Sequence, residues 1–333
     1  MKKIMEIVEK AHKKDYNGLI NSTIRSFPFI KHMCIIFPWN KIDDGDYFKD
    51  YANLINIYLS SSKEFEILPM KEIANTNNYL FIYSIKDSFK EHAGLVFSID
   101  NTRNTEKLLH IAMLLEPFIK SEVQDYVIKK TFVETAVGLF KFTKEKNPSL
   151  YRHLNNVALY SFLFGSYLKL DNKSLTVLMV SGMLHDIGKI VTTNDILDGT
   201  AVQSNVDMFH LMEHILVSDP LLSSMTMFEK IAEIVKYHHE RWDGRGYPNR
   251  IRGTNIPFLS RILSIVDAFD AMTSERTYRA TRSPEDALRE IIANKGTQFD
   301  PSLVDKFISF YHTILPLPQL DVVSILYKIV LEV

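Results

Sequence analysis

The sequence predicts two domains, a small mixed α/β domain followed by an all-α helical bundle, and three observations carry that reading. Short β-branched and aromatic runs, separated by Asp, Asn, Ser and Gly, are confined to the stretch before about residue 100. After Leu150 such runs stop and apolar residues recur at helical spacing. At 333 residues the chain exceeds one domain of ~150 residues, and 46% hydrophobic with 24% charged residues leaves each half enough apolar side chain for a core. The expected boundaries are 1–118 for the first domain, 119–145 for a connecting helix and 146–333 for the bundle.

Met1 to Thr23 reads as one amphipathic helix, with Ile4, Met5, Val8 and Ala11 on one face and Lys2, Lys10, Lys13 and Lys14 mostly off it. After Pro28, the runs His32 to Phe37, Ile55 to Leu59, Tyr79 to Ile85 and Ala93 to Ile99 read as strands. Asn101 and Thr102 lead into a helix from Glu106 to Phe118, with Pro117 marking a kink or an end. Ile119 to Lys144 stays helical, which suggests a long helix joining the two domains and is compatible with a homodimer. The first domain has no glycine-rich phosphate loop, no carboxylate pair at catalytic spacing and no cysteine ligand set. Its order of elements is similar to that of small GAF or PAS sensory domains, which implies a regulatory or dimerising role by analogy alone.

In the second half, His153 opens a helix with Leu154, Val157, Ala158, Phe162 and Leu163 pointing inward, and Ser174 starts the next, which runs to Gly188. Thr192 to Asn205 is a polar connection, and Val206 to Ser218, Met227 to His239 and Pro257 to Thr273 are helical. Ser283-Pro284 and Asp300-Pro301 each put a capping side chain before a proline suited to the first helical position, so two more helices start there, and Gly296 ends the first of them.

Several classes are excluded by composition. Net charge is −1, too little positive charge for a duplex nucleic-acid binder that works by phosphate neutralisation. No apolar run reaches the ~18 residues of a membrane span, so no membrane insertion is expected. Met1 to Lys14 lacks the apolar core and cleavage site of a signal peptide. Cys34 is the single cysteine, so no intrachain disulfide forms, and a cytoplasmic location is expected.

Chemistry enters at His185 and Asp186. An imidazole beside a carboxylate, after a helix that is mostly apolar from Leu175 to Leu184, puts two metal-ligand types where burial favours aliphatic residues. A lone His-Asp pair is most often a satisfied pair at a helix end. Here seven of the eleven histidines fall after Leu150, and five of them, His153, His185, His214, His238 and His239, recur at helix ends or faces together with Asp186 and Asp267. Five imidazoles and two carboxylates suit two divalent first-row ions, with Asp186 as the expected bridge between them. Without ions, several buried polar atoms would go unpaired at ~1–3 kcal/mol each.

The loop from His239 to Pro248 is the second signal. Gly244 and Gly246 allow positive φ, Pro248 stiffens the exit, and Tyr247 is thereby presented for stacking on a nucleobase. A lone Gly-Tyr-Pro is ordinarily a turn; directly after a His-His pair it gains a functional reading.

His185-Asp186-Ile187-Gly188-Lys189, Met212-Glu213-His214, the run from His238 to Pro248, Ile256-Pro257, Asp267-Ala268-Phe269-Asp270-Ala271, Arg276-Thr277-Tyr278-Arg279 and Gly296-Thr297-Gln298-Phe299-Asp300-Pro301 follow one another in order. Together they resemble the HD-GYP family, a metal-dependent branch of the HD-domain phosphohydrolases. The resemblance covers roughly the C-terminal half and leaves the residues before about Phe140 unexplained. It implies an HD-GYP helical bundle that hydrolyses cyclic di-GMP to linear pGpG, in some members on to GMP, with a hydroxide bridging two ions, iron or manganese. It implies one ion held by His153, His185, Asp186 and Asp267 and the other by Asp186, His214, His238 and His239. Lys189 would contact a phosphate oxygen and take part in catalysis with Asp186, Arg276 and Arg279 would meet phosphate or guanine, and Tyr247 would flank a base.

Other residues carry blander readings. His210 lies four before His214 on the same helical face but matches no family position and is read as structural. Asp270 is read as orienting a ligand imidazole, and Glu240 and Asp243 as holding the loop, with Asp243 as proton donor the alternative. His12, His32, His92, His110 and His312 have no partners in sequence and read as surface or core residues. Two departures stand out: Ser149 occupies the position where some members carry a third-metal glutamate, and Leu197-Asp198-Gly199-Thr200 replaces a leucine-lysine-proline-glycine run. The competing readings are a cyclic-dinucleotide receptor without turnover and a hydrolase of a different cyclic dinucleotide.

Overall fold

The computed structural model describes residues 2–37, 41–43, 48, 52–59, 64–69, 78–86, 92–190, 205–274, 281–314 and 320–331. The chain forms two compact units, Met1–Ile128 and Lys129–Val333.

In the first unit, five strands form an antiparallel sheet in the order β2-β1-β5-β4-β3, where β1 is Ile30–Ile36, β2 Lys41–Asp43, β3 Phe65–Pro69, β4 Tyr79–Lys86 and β5 His92–Ile99. Alternate side chains serve opposite faces, as the strand period of two requires. Phe81, Tyr83, Ile85, Leu95, Phe97 and Ile99 share a core with residues of the helices Lys2–His12, Tyr16–Ser26 and Thr105–Lys146, while Cys34, Leu80, Ile82 and Val96 pack on the other face with Ile55 and Leu59.

Four features differ from the sequence expectations. Met1 to Thr23 is two helices rather than one, because Lys14 turns the chain at φ 57° and the Asp15 carboxylate accepts from the Gly18 N–H at 3.0 Å to start the second. Ile55 to Leu59 lies in the helix Ala52–Leu59, not in a strand. Ile55 and Leu59 are buried while Ile57 is 67% exposed, a helical spacing that the alternation of a strand cannot produce. Strands β2, three residues long, and β3, Phe65–Pro69, which ends on a proline, are additional. Finally, the helix Thr105–Lys146 passes through Pro117. Proline deprives the Met113 carbonyl of its donor, but Met113 is 53% exposed, so solvent can serve that carbonyl.

The second unit is helical: Pro148–Tyr167, Asn172–Leu184, Asn205–Ser223, Glu229–Lys236, Phe258–Thr273, Pro284–Ala293, Pro301–Ile314 and Val322–Leu331 follow the long helix. The helix bearing His153 starts earlier than expected, since Asn147 accepts from the Leu150 N–H at 3.0 Å and Pro148 takes the first helical position. Asn172–Leu184 is buried from Leu178 through Leu184, which explains its lack of a polar face. A Cβ at Gly182 would lie 2.8 Å from the Ala158 Cα, so the two central helices approach through a small-residue contact.

The two proline-led helices begin as expected. Ser283 Oγ accepts from the Asp286 N–H at 3.1 Å, and Asp300 accepts from the Ser302 N–H at 2.8 Å while receiving Arg261 Nη1 at 2.5 Å. Burial would raise the Asp300 carboxyl, but Arg261 and the Ser302 donors hold it below the usual carboxylate range. A carboxylate depressed by folding stabilises the fold above its unfolded pKa and loses that contribution as pH falls through its folded value. Asp300→Ala is therefore expected to cost about 1–2 kcal/mol at neutral pH by denaturant unfolding. The gap to the parent protein should close in acid below the carboxylate range; a gap that stayed constant down to such pH would remove the role given to this charge.

Candidate metal centre

The small-residue contact between Ala158 and Gly182 sits within one to two turns of His153 and His185, and it brings those two rings to 5.2 Å between centroids. Past Leu184 the chain leaves the α-helix for a 3-10 turn, Ile187–Ile190. Gly188 in that turn presses against the helix Asn205–Ser223: a Cβ there would lie 2.1 Å from the His214 carbonyl oxygen, and the Gly188 N–H donates to Ser218 Oγ at 3.0 Å. That approach delivers Asp186 to His214. His238 and His239 follow the end of Glu229–Lys236, and Asp267 projects from Phe258–Thr273.

All seven expected ligand side chains converge. His153, His185 and Asp267 form one group, and Asp186, His214, His238 and His239 another, each with donor atoms mutually within 4.8 Å. Asp186 faces both ways: its Oδ2 lies 3.4 Å from His185 Nε2 and 3.7 Å from His153 Nε2, and its Oδ1 lies 3.5 Å from His214 Nε2. Asp267 Oδ1 lies 3.1 Å from His153 Nε2 and 3.5 Å from His185 Nε2.

The donor set fits divalent ions. Nε2 of His153, His185, His214 and His238 and Oδ1 of Asp186 are buried without a hydrogen-bond partner. Five orphaned polar atoms aimed at one another would be a large penalty in a core, and an ion that accepts their lone pairs removes it. The rings are also oriented for this: Nδ1 of His185 donates to the Gly182 carbonyl at 3.0 Å, Nδ1 of His238 to the Val235 carbonyl at 2.5 Å, and Nδ1 of His153 meets Asp270 Oδ2 at 2.7 Å.

Electrostatics divide the centre. Burial opposes charge on Asp186 and Asp267, yet Lys189 and His185 hold the former, and His153 and His185 the latter, well below the usual carboxylate range. Burial also works against a proton on His185, but Asp186 and Asp267 lift it to about 10. On the other side burial, helped by neighbouring imidazoles, pulls His214 to about 4, His238 to about 3 and His239 well below its usual value. Those three rings are neutral, the form in which imidazole binds a metal.

Lys189 Nζ donates to Asp186 Oδ2 at 2.5 Å. Tyr247 lies 4.9 Å from the His239 ring and lines, with His238, His239, Arg241, Asp267 and Gln298, a cavity of about 340 Å³ beside the centre. Burial pushes its phenol up, so it stays protonated. Gly244 takes φ +79° as expected, but Gly246 is required for space instead: a Cβ there would lie 2.4 Å from the Arg241 nitrogen and 2.5 Å from the His239 carbonyl oxygen. Glu240 accepts from the Asn249 N–H at 2.7 Å, and Asp243 is held as a carboxylate by Arg241 at 3.0 and 3.2 Å, which makes both of them loop anchors.

Arg276, Arg279, the stretch Leu197 to Thr200 and the side chain of His210 lie outside the described residues. Three partners escaped the sequence reading. Asn156 and Ser274 both donate to Asp270, at 3.0 and 2.7 Å, and Gln298 accepts from Arg241 at 3.2 Å. Helical spacing could have found the first two, since Asn156 follows His153 by three and Ser274 follows Asp270 by four. Gln298, distant in sequence, gave no such signal.

Residues 141–303 match the family model described as HD domain. Among curated proteins, the chain is 28% identical over 186 residues to the 3'3'-cGAMP-specific phosphodiesterase 2 of Vibrio cholerae, covering 55% of this chain and 36% of that protein. It is 32% identical over 169 residues to the 3'3'-cGAMP-specific phosphodiesterase 3 of the same organism, covering 51% and 36%. A cyclic di-GMP phosphodiesterase of Thermotoga maritima is 25% identical over 278 residues, covering 83% of this chain and 71% of that protein. The chain thus spans 36% of the length of each of the two Vibrio proteins. No helix among the described residues is long and apolar enough to cross a membrane.

Proposed function

We propose that this chain, whose residues 141–303 match the HD domain family model, is a member of that family of HD-GYP type that hydrolyses a phosphodiester bond of cyclic di-GMP at a two-ion centre. The observation that carries the reading is the pair of ligand groups with Asp186 facing both. Iron or manganese suits a set of imidazoles and carboxylates, and two such ions would supply a hydroxide nucleophile at neutral pH.

The chain's own residues then have distinct tasks. Asp186 would serve both ions, and His153, His185 and Asp267 on one side and His214, His238 and His239 on the other would complete the two sets. Two divalent ions would carry four positive charges against two negative charges on the aspartates, and the net positive charge would attract a phosphodiester. Lys189, resting on Asp186 in the structure, has the reach of a flexible ammonium to meet a phosphate oxygen. Tyr247, at the cavity wall, offers a ring and a protonated hydroxyl to a base. Arg276 and Arg279 are assigned to phosphate or guanine on the family resemblance.

A second substrate is favoured by a specific finding: two of the relatives are named as 3'3'-cGAMP-specific. The test loads the protein anaerobically with Fe²⁺ or Mn²⁺ and offers cyclic di-GMP and 3'3'-cGAMP separately, following linear dinucleotide by chromatography. Linear product from cyclic di-GMP, lost on adding excess chelator and restored by metal, is expected. Product from 3'3'-cGAMP alone would move the substrate assignment. Tight binding of either nucleotide with no product under both metals would replace the hydrolase by a receptor.

A further inference from the structure

We propose that Asp270 makes the two ion positions unequal, so that the one bounded by His153, His185 and Asp267 fills first and the one bounded by His214, His238 and His239 fills second. The inference rests on the two-ion reading above.

The first ground is the backing of each ligand ring. A ring that donates its Nδ1–H to a carboxylate becomes a stronger donor at Nε2 than one that donates to a neutral carbonyl, because the anion favours electron density on the imidazole. Asp270 is 1% exposed, and its Oδ2 lies 2.7 Å from His153 Nδ1. Its Oδ1 is held by Asn156 Nδ2 at 3.0 Å and Ser274 Oγ at 2.7 Å, and those two are themselves 3.3 Å apart. The carboxylate is therefore fixed before any ion arrives, with no reorganisation left to pay for. His185 and His238 lean on backbone carbonyls, and neither ring nitrogen of His214 has a hydrogen-bond partner.

The second ground is charge. The first position faces Asp267 Oδ1 and Asp186 Oδ2, with Asp270 one ring behind. The second faces one carboxylate among the described residues, the shared Asp186, and three imidazoles. A divalent cation in a poorly hydrated site is drawn to the larger number of full charges. One charge opposes: Lys189 sits on Asp186 Oδ2. That contact is to the oxygen turned toward the first position, and against it the first position has Asp267 and Asp270, which the second lacks.

Asp270 is a positioning residue, and metal binding rather than turnover tests it. The metal-stripped full chain is titrated with Mn²⁺ by calorimetry and electron paramagnetic resonance. Two steps are expected, the first tighter by roughly tenfold or more. At one equivalent the spectrum should be that of an isolated ion, giving way to a coupled pair at two. Asp270→Asn keeps the shape and removes the charge, and should weaken the first step ~10–100-fold while sparing the second. Ser274→Ala, which keeps the carboxylate and deletes one of its donors, should weaken the same step less, and it serves if the Asn variant does not fold. His239→Ala should leave the tight step and lose the weak one, and Asp267→Ala the reverse. Two equal steps in the parent protein, an equal shift of both steps in Asp270→Asn, or loss of the tight step in His239→Ala would each overturn the inference and leave the two-ion reading intact. A parent protein that takes up one ion or none at saturation would overturn both.

Discussion

Asp186→Ala should abolish turnover of cyclic dinucleotide and strip the protein of its ions. Among the described residues, Asp186 is the one side chain with an oxygen toward each ligand group, Oδ2 at 3.4 Å from His185 Nε2 and Oδ1 at 3.5 Å from His214 Nε2. Removing it leaves three imidazoles on one side with no anionic donor among the described residues, and takes from the other side half of its carboxylates. A fall of ~10³-fold or more in kcat/KM is expected, equivalent to about 4 kcal/mol in the barrier, with elemental analysis showing well under one ion per chain. A thermal control separates ion loss from misfolding. Ligands that bind the native state raise stability by mass action, so chelation should lower the melting temperature of the parent protein and leave that of the variant where it is. A variant that kept both ions, or that turned over within tenfold of the parent, would end the assignment of Asp186 as bridge.

Gly188→Ala should have the second largest effect, and it acts through backbone alone. The added methyl would sit 2.1 Å from the His214 carbonyl oxygen, 2.9 Å from the His214 carbonyl carbon and 2.8 Å from Ser218 Oγ. Carbon and oxygen need ~3.3 Å or more, so the 3-10 turn and the helix Asn205–Ser223 must part by about 1 Å. Overpacking of this kind costs roughly 1–3 kcal/mol, and the displacement lies between Asp186 and His214. Misplacement by ~1 Å at a reacting centre lowers turnover by roughly 10²-fold, even in protein that stays folded. Unfolding curves and metal content on the same sample check both parts. Parental stability together with parental activity would show that the two segments have slack the geometry does not reveal.

The ligand types were legible because each sits at a local signature. His185-Asp186 ends a helix too apolar to want them, His238-His239 precedes a glycine-rich loop, and Asp267 and Asp270 recur at helical spacing. The helix starts at Ser283-Pro284 and Asp300-Pro301 were legible for the same reason: a cap and its proline are neighbours in sequence. Ile55 to Leu59 was misread because five apolar-rich residues fit either period, and only the exposure of Ile57 beside buried Ile55 and Leu59 decides for a helix. The glycine at 246 was read for its dihedral freedom, while its actual use is to let the loop lie against Arg241 and His239.

Sequence by itself determined the donor chemistry of this protein: which imidazoles and carboxylates are available, that burial leaves them unpaired without ions, and that the half bearing them is helical. Tertiary structure decided which donors lie together as candidate ligand groups, that Asp186 looks both ways, and that Asp270 stands behind His153 and not behind another ring. The reason is one of range. Side-chain identity and helical period are properties of a few consecutive residues, whereas the grouping depends on how close helices can come at Gly182 against Ala158 and at Gly188 against His214, pairs separated by more than twenty residues.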